Sequence, residues 1–595
     1  MEKKMKKIKK NSIASIVSIA SIASMASMGL AGCGDFLQLE PRNEIILEKF
    51  WTEKQDVENI IAGCYSGMQA DDVVRRMMIW GEWRSENIGI GVNTNKDPDL
   101  EKILKENIDA KNSYTSWTGF YNVINRCNTV LKYAPAVAEK DPAYSEGELK
   151  ANIAEMVALR SLCYFYLIRA FRDVPYAGST AFTDDNQVMD LPATPFAAVL
   201  DSCINSLEAV KDQAVNRYET TKPLYQTGRI TKDAIHAMLC EMYLWKQDWD
   251  NCIKYADLVI ASKKALAQER QQQGYGAGDA AFERTNGYPL VSASNGSTVY
   301  GNAFTTLFGS DNYVSEYTQE IIFQLIFDDN PRGNAMIANS AVNTLYGHAN
   351  AIVGYGAPSE YVLGDIEKTS GRAIFADRNK KVDCRLYENC NTRLGSINKF
   401  VTSSIYIDAT QSTPKATYGS AYIENYNSSN WIVYRLPDIM LMKAEALTMK
   451  AQSGSTKEIV DANKSLLDQA FMLVNAVNKR SLCEQALVDT LLRNDYSSKL
   501  QMETLIFQER QRELMFEGKR WFDLVRQVQR NGSTQVLSQA AQRKVTTGGA
   551  LIANKLSKID AIYWPYNYEE LKVNKNLKQN PAFSSGEADS YQKNY

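Results

Sequence analysis

Three glutamates, Glu509, Glu513 and Glu517, recur every four residues in ERQRELMFEGKRWFDLVR. On a helix that spacing stacks carboxylates on one face. Paired carboxylates are the equipment of glycoside hydrolysis, in which one carboxyl must hold its proton as the general acid. Here Arg510, Arg512, Arg520 and Arg526 are interleaved, close enough to pair with the glutamates and with Asp523. Cations that near depress carboxyl pKa values, the opposite of what a general acid needs. The stretch therefore reads as a structural ion-pair network. The chain has only two histidines, His236 and His348, which excludes a His-rich metal centre and leaves a histidine-based triad little to draw on. His236 lies in the helical run TKDAIHAMLCEMYL and reads as a packed or surface residue. GYGAG and GIGVN are not phosphate loops, because neither sits at a strand-to-helix turn of a βαβ unit. No acidic loop follows the EF-hand pattern, and no cofactor is called for.

The elements that must position these residues are mostly helical. In SWTGFYNVINRCNTVLKY the residues Trp117, Phe120, Tyr121, Ile124, Cys127, Val130 and Leu131 form one apolar face. ANIAEMVALRSLCYFYLIRAF is apolar around more of its circumference, which predicts a helix buried on several sides and stopped before Pro175. GRITKDAIHAMLCEMYLWKQDWDNCIKYADLVIAS predicts two helices with a turn near KQDWD, a tetratricopeptide-like pair. Several such pairs predict a helical solenoid. From 266 to 435 the helical period is lost, and Gly, Asn, Ser and Tyr dominate. That interval holds 14 of the 32 tyrosines, well above its share by length, so its loops are the place to look for function. EIIFQLIF and SSIYI within it read as short strands. Helical patterns resume in RLPDIMLMKAEALTMKA and run to an aromatic tail.

The amino terminus predicts an address. MEKKMKKIKK is basic, and the next twenty-two residues carry no charge, the pattern of a secretory signal. It ends in Leu30-Ala31-Gly32-Cys33, which resembles a lipobox, so Cys33 is expected to be the lipidated first residue of the mature chain. Two or more acyl chains would anchor it stably. The formal net charge is −2, and loss of the signal's six lysines and one glutamate makes it about −7, which gives nucleic-acid binding no support. Nine cysteines remain. Cys127, Cys163, Cys203, Cys240, Cys252 and Cys483 fall in helix-like patterns as small buried hydrophobes. Cys384 and Cys390 in VDCRLYENCN are near enough to close a short loop in an oxidising compartment, although spacing alone leaves the pairing open.

In this order the segments resemble the SusD/RagB family of outer-membrane nutrient-binding lipoproteins, over nearly the whole chain. Cys33, Asp35, Phe36, Leu37 and Pro41 match its start, and Arg160, Tyr164, Phe165, Leu167, Phe171, Asp173, Val174 and Pro175 match its long helix and the turn after it. Arg172 stands where that turn usually has glycine. Gly228 to Lys232 resemble the entry to its tetratricopeptide pair. Arg435, Asp438, Leu441, Ala444, Glu445 and Ala446, then the ERQREL run, Trp564 and residues 579–581 complete the pattern.

The resemblance implies a mainly α fold: a tetratricopeptide-like helical-pair solenoid with a loop-rich, irregular α/β ligand-binding region packed on it. It implies four segments: a lipoprotein signal peptide (1–32), an N-terminal helical region (33–265), a tyrosine-rich ligand-binding region (266–435) and a C-terminal helical region (436–595). It implies no catalysis. The expected ligand is an oligosaccharide, or peptide in some members, delivered to a SusC-like TonB-dependent transporter from a lipid anchor on the cell surface. A surface glycosidase and a tetratricopeptide scaffold are the readings from other classes. Sugars need aromatic platforms beside polar groups. Trp83 with Arg84 and Asn87 offers that mixture, as do Tyr300, Tyr313, Tyr355, Tyr361 and Tyr418 with Arg372.

Overall fold

The computed structural model describes residues 50–584, apart from 179–189, 220, 274–283, 293–298, 310–318, 328–337, 364–373, 376–382, 409, 411–414, 455, 484–490 and 546. The leader, Cys33, Tyr313 and Arg372 lie outside the described residues.

The scaffold is a succession of helices, each packed on the next. Helix α1 (Lys54–Met68) is followed by α2 (Asp71–Met78), a π-helical turn (Ile79–Trp83), strand β1 (Ile88–Ile90) and α3 (Pro98–Leu104). Helix α4 (Thr118–Lys140) lies on α1 and on α5 (Glu146–Phe171). A capping box starts α5, with Ser145 and Glu148 satisfying each other's backbone N–H groups. From Ala154 to its end α5 is buried, as an apolar circumference requires. It stops at Arg172, which adopts φ +70 and so occupies a conformation that suits glycine. The arginine is retained there by ion pairs with Asp173 at 3.1 Å and Asp560 at 2.6 Å.

After the two-residue ribbon of β2 (Val174–Pro175) and β3 (Ala193–Thr194) comes α6 (Phe196–Val210), which packs on α5 and on α7 (Lys232–Lys246). Helices α7 and α8 (Trp249–Gln272) form the expected pair. Gln247 turns the chain in the left-handed region, and Asp248 caps α8 by accepting the Asn251 N–H at 3.1 Å. His236 is buried on α7 with its ring 5.5 Å from that of Tyr255.

The middle of the chain contributes short strands and little helix: β4 (Val299–Tyr300), β5 (Ile321–Leu325), α9 (Ser340–Leu345), β6 (Gly356–Pro358), α10 (Glu360–Leu363), β7 (Cys390–Asn391), β8 (Ser396–Ile397), β9 (Ile405–Asp408) and β10 (Lys415–Tyr418). They pair in small antiparallel sets: β1 with β6, β7 with β8, and β4 and β10 on either side of β9. Strand β5 pairs with β11 (Trp431–Arg435), and every residue of both is buried. That explains why neither alternates apolar with polar residues along its length.

Strand β11 runs straight into α11 (Leu436–Lys450), with Pro437 in its first turn, where no N–H is needed. Helix α8 packs on α11, and α11 on α12 (Lys457–Arg480) and α13 (Lys499–Leu514), so the solenoid continues into the carboxyl-terminal part. Then come α14 (Arg520–Asn531), α15 (Gly549–Lys555) and α16 (Tyr568–Val573).

The disulfide joins Cys384 to Cys483, with Cα atoms 5.8 Å apart. Cys384 N–H donates to Ser481 O at 2.8 Å, so backbone pairing brings those two cysteines together. Cys390 is a buried thiol on β7, and neither the short loop nor a buried Cys483 thiol is formed. Cys127, Cys163, Cys203, Cys240 and Cys252 are buried thiols.

Candidate functional site

The three spaced glutamates do not share one helix. Helix α13 ends at Leu514, Phe516 and Gly518 take positive φ, and Glu517 stands in the turn before α14. A Cβ at Gly518 would lie 2.7 Å from Met77 O, and one at Gly81 would lie 1.8 Å from Gly518 O. Two glycines thus let this turn press directly on the π-helical turn.

All three glutamates are buried and ion-paired, mostly by arginines from elsewhere in the fold. Arg385 reaches Glu509 at 2.8 Å and Glu513 at 3.1 Å, and Arg435 reaches Glu513 at 2.5 Å and Glu517 at 2.7 Å. Arg480 also pairs with Glu513, and Lys399 with Glu517 at 2.6 Å. Of the interleaved arginines, Arg512 pairs with Glu509, Arg510 and Arg526 with Asp523, and Arg520 with Glu86. Burial pushes the Glu513 carboxyl up, but Arg480, Arg435 and Arg385 hold it well below the usual carboxylate range. Glu509 is likewise lowered against its burial by Arg385 and Arg512. These groups stay ionised in a dry core and are arranged as struts.

The stretch around Trp83 fastens this turn from the other side. Trp83 is 0% exposed, and the tip of its indole underlies Gly356 of β6, where a Cβ would sit 3.1 Å from the ring. Glu82 accepts N–H donors from Phe516 at 3.0 Å and Lys519 at 3.2 Å, capping the entry to α14, and the Asn87 amide donates to it at 2.7 Å. Asn87 also accepts from Gln511 at 2.7 Å. The Arg84 guanidinium, 4.5 Å from the Trp521 ring centroid, pairs with Glu106 at 2.8 Å and donates to the carbonyls of Ala561 and Ile562 at 2.7 Å. The cluster that looked like a sugar platform is therefore turned inward. Trp83 offers no face to solvent, and the polar atoms of Arg84 and Asn87 are engaged by the protein. Tyr300 is also buried, on β4 opposite Ile407 of β9.

The remaining tyrosines stand on elements that touch one another. Tyr355 immediately precedes β6, and its backbone is pinned at both ends: its N–H donates to Thr344 O at 3.0 Å, and its carbonyl accepts from the Thr94 hydroxyl. Its side chain is half-buried, as is that of Tyr361 on α10, just beyond β6. Arg543 lies 5.3 Å from the Tyr361 ring centroid and donates to its hydroxyl at 3.4 Å. Strand β6 packs on β8, whose hairpin with β7 holds Tyr418. The Tyr418 hydroxyl donates to Cys390 O at 3.0 Å and accepts from Thr392 N–H at 3.2 Å. Burial pushes its pKa up to about 12.

Two exposed rings join them. Tyr406 is 53% exposed on β9 between the buried Ile405 and Ile407, and Tyr426 is 58% exposed in the turn after Ile423. SSIYI carried the signal for Tyr406, since strand alternation turns a tyrosine outward when both neighbouring isoleucines face in. Loop 347–351 connects this group to the rest: Ala349 N–H donates to Tyr422 O at 2.8 Å, and His348 lies 3.8 Å from Glu424. These tyrosines stand on adjoining short strands and turns, and the β9–β10 register sets Tyr418 opposite Ile405 on the inward side and Tyr406 opposite Thr417 on the outward side.

A helical solenoid carrying such a loop-borne aromatic surface has the SusD-like fold. A SusD superfamily protein from Bacteroides vulgatus superposes with a TM-score of 0.60 at 18% identity, over 90% of this chain and 100% of that one. A laminarin-binding SusD-like protein does so with a TM-score of 0.53 at 18% identity, over 89% and 99%. In sequence, the SusD family model matches residues 376–583, and a model described as "starch-binding associating with outer membrane" matches residues 35–244. SusD-like protein P38 of Formosa agariphila is 24% identical over 576 residues, 93% of this chain and 96% of its own length. The chain belongs to the SusD/RagB family.

Proposed function

We propose that this chain is a surface lipoprotein, anchored in the outer membrane through lipid on Cys33, that binds oligosaccharides and passes them to a SusC-like TonB-dependent transporter. The observation that carries the reading is the exposure of Tyr406 and Tyr426, with half-buried Tyr355 and Tyr361, on short strands and turns of the middle of the chain. Exposed aromatic rings stack on the apolar faces of sugars, and hydroxyls and carbonyls beside them orient the ligand. The description of one matching family model and the name of one solved neighbour point the same way. Catalysis is not part of the reading, because Glu509, Glu513 and Glu517 are all committed to buried ion pairs.

Calorimetry of the detergent-solubilised mature chain with starch and laminarin oligosaccharides tests this. At least one is expected to bind, and Tyr406→Ala with Tyr426→Ala to weaken it by about tenfold or more, roughly 1.4 kcal/mol, without lowering the melting temperature. Release of new reducing ends on prolonged incubation would contradict the binding-only reading.

A further inference from the structure

A cleft of about 900 Å³ lies between the segment Lys102–Lys111 on one side and the carboxyl-terminal segments Asn554–Ala561, Tyr568 and Pro581–Phe583 on the other. Its volume falls in the range of small-ligand sites. Buried Arg84 and Glu106 line it, and Glu106 pairs with Arg84 at 2.8 Å and, behind the lining, with Lys544 at 3.0 Å. Burial raises the Glu106 carboxyl, but Arg84 and Lys544 hold it below its ordinary value, so it stays ionised.

The rim is cationic in a chain whose net charge is negative. Asp109 is the second carboxylate of the lining, and Lys102 matches it at 3.1 Å. Lys555 is held by neutral acceptors, the Lys105 carbonyl and the Asn107 side chain. Lys111 and Lys558 are exposed and, among the described residues, enter no ion pair. The Lys111 ammonium lies 5.5 Å from the Tyr568 ring centroid, and Phe583 is the other aromatic ring of the lining. Both rings are half-buried. Asn554 and Ser557 add hydrogen-bonding groups to the same wall. Unmatched positive charge beside aromatic surface and amide and hydroxyl groups suits a ligand that is at once ring-shaped, hydroxylated and anionic.

We infer that this cleft is a second saccharide site, selective for sugars bearing carboxylate or sulfate groups, with Lys111, Lys555 and Lys558 receiving the anion and Tyr568 and Phe583 the ring. The inference rests on the reading of the chain as a saccharide-binding protein. It adds a site made of different elements from the tyrosine-bearing loops.

The test is calorimetry of the mature chain with oligogalacturonides, with sulfated galactan oligosaccharides, with neutral laminarin and starch oligosaccharides, and with sodium sulfate alone. At least one acidic oligosaccharide is expected to bind. Its affinity should fall at least tenfold in Lys111→Gln/Lys558→Gln and several-fold between 50 and 300 mM salt, as screening of exposed charges requires. Tyr406→Ala/Tyr426→Ala should leave it unchanged. Neutral binding with no acidic binding would overturn the inference and leave the proposed function standing, whereas no binding of any saccharide would remove both. Acidic binding that survives the lysine substitutions, or a cleft that takes sulfate as tightly as the acidic sugar, would also overturn it. Both lysines are exposed, so loss of folding does not confuse the outcome.

Discussion

Trp83 and Tyr406 show how little a residue's type says about its role. Both are large aromatics, yet Trp83, beside Glu82 and Arg84, lies under β6, and Tyr406, between two isoleucines, projects from β9. Trp83→Ala should therefore cost about 3–5 kcal/mol and lower the denaturation midpoint, the penalty of a cavity in a packed core. Tyr406→Ala should leave the midpoint within about 0.5 kcal/mol of the parent. Chemical denaturation of the two variants reads the contrast directly.

Titration is a second residue-scale test. Burial pushes both Glu82 and Glu388 from 4.5 up to about 7, against the donors that each accepts. A carboxyl whose folded pKa is raised contributes stability that is complete below its unfolded value and is lost as pH rises through the folded one. Stability should thus decline between about pH 4.5 and 7, by about 3 kcal/mol for each group. Glu445 runs the other way: burial raises it, but Arg526 and Arg530 bring it down to about 2. Its contribution is full above 4.5 and is lost as pH falls toward 2. Urea midpoints across that range should show both limbs, with the upper one shallower in Glu388→Gln. An unchanged upper limb in that variant would contradict the assignment.

At the scale of elements, the braces lie between segments far apart in the chain. Arg385 and Arg435 cross from the middle of the sequence to α13, and the Cys384–Cys483 bridge closes a 99-residue separation at the end of α12. Removing the bridge by Cys384→Ser/Cys483→Ser should cost about 4.7 kcal/mol by the loop-entropy relation, and reducing agent should produce the same fall in the wild-type chain. Arg435→Met should cost about 3–5 kcal/mol, because it leaves Glu513 and Glu517 buried with fewer partners. Much of the helical scaffold was legible beforehand: periodicity placed the helices around Trp117, around Tyr164 and on both sides of KQDWD, and alternation marked β9. The break after Leu514 was not, because ERQRELMFEGKRWFDLVR keeps a helical period straight through it. The helix ends where Phe516 and Gly518 take positive φ and Gly518 presses against Gly81, a contact more than 400 residues away in sequence.

On the scale of the whole molecule, the proposed lipid anchor and the proposed saccharide surface predict separable effects. Cys33→Ala should release the protein from the membrane pellet into the soluble fraction and abolish labelling by radioactive palmitate, with the affinity of the solubilised lobe for its oligosaccharide unchanged. Continued sedimentation of that variant with membranes would refute the lipid tether.

From the sequence alone came the helical class, the family and the structural character of the Glu509–Glu517 carboxylates. All of these are local: periodicity, motif order and charges a turn or two apart. Only the tertiary structure decided which aromatic residues face solvent, which arginines hold which glutamates, and which cysteines pair. Exposure is a property of what packs on top of a residue. For Trp83 that is Gly356 of β6, whereas more than half of Tyr406 is left uncovered, so an aromatic with polar neighbours becomes core and one with apolar neighbours becomes surface.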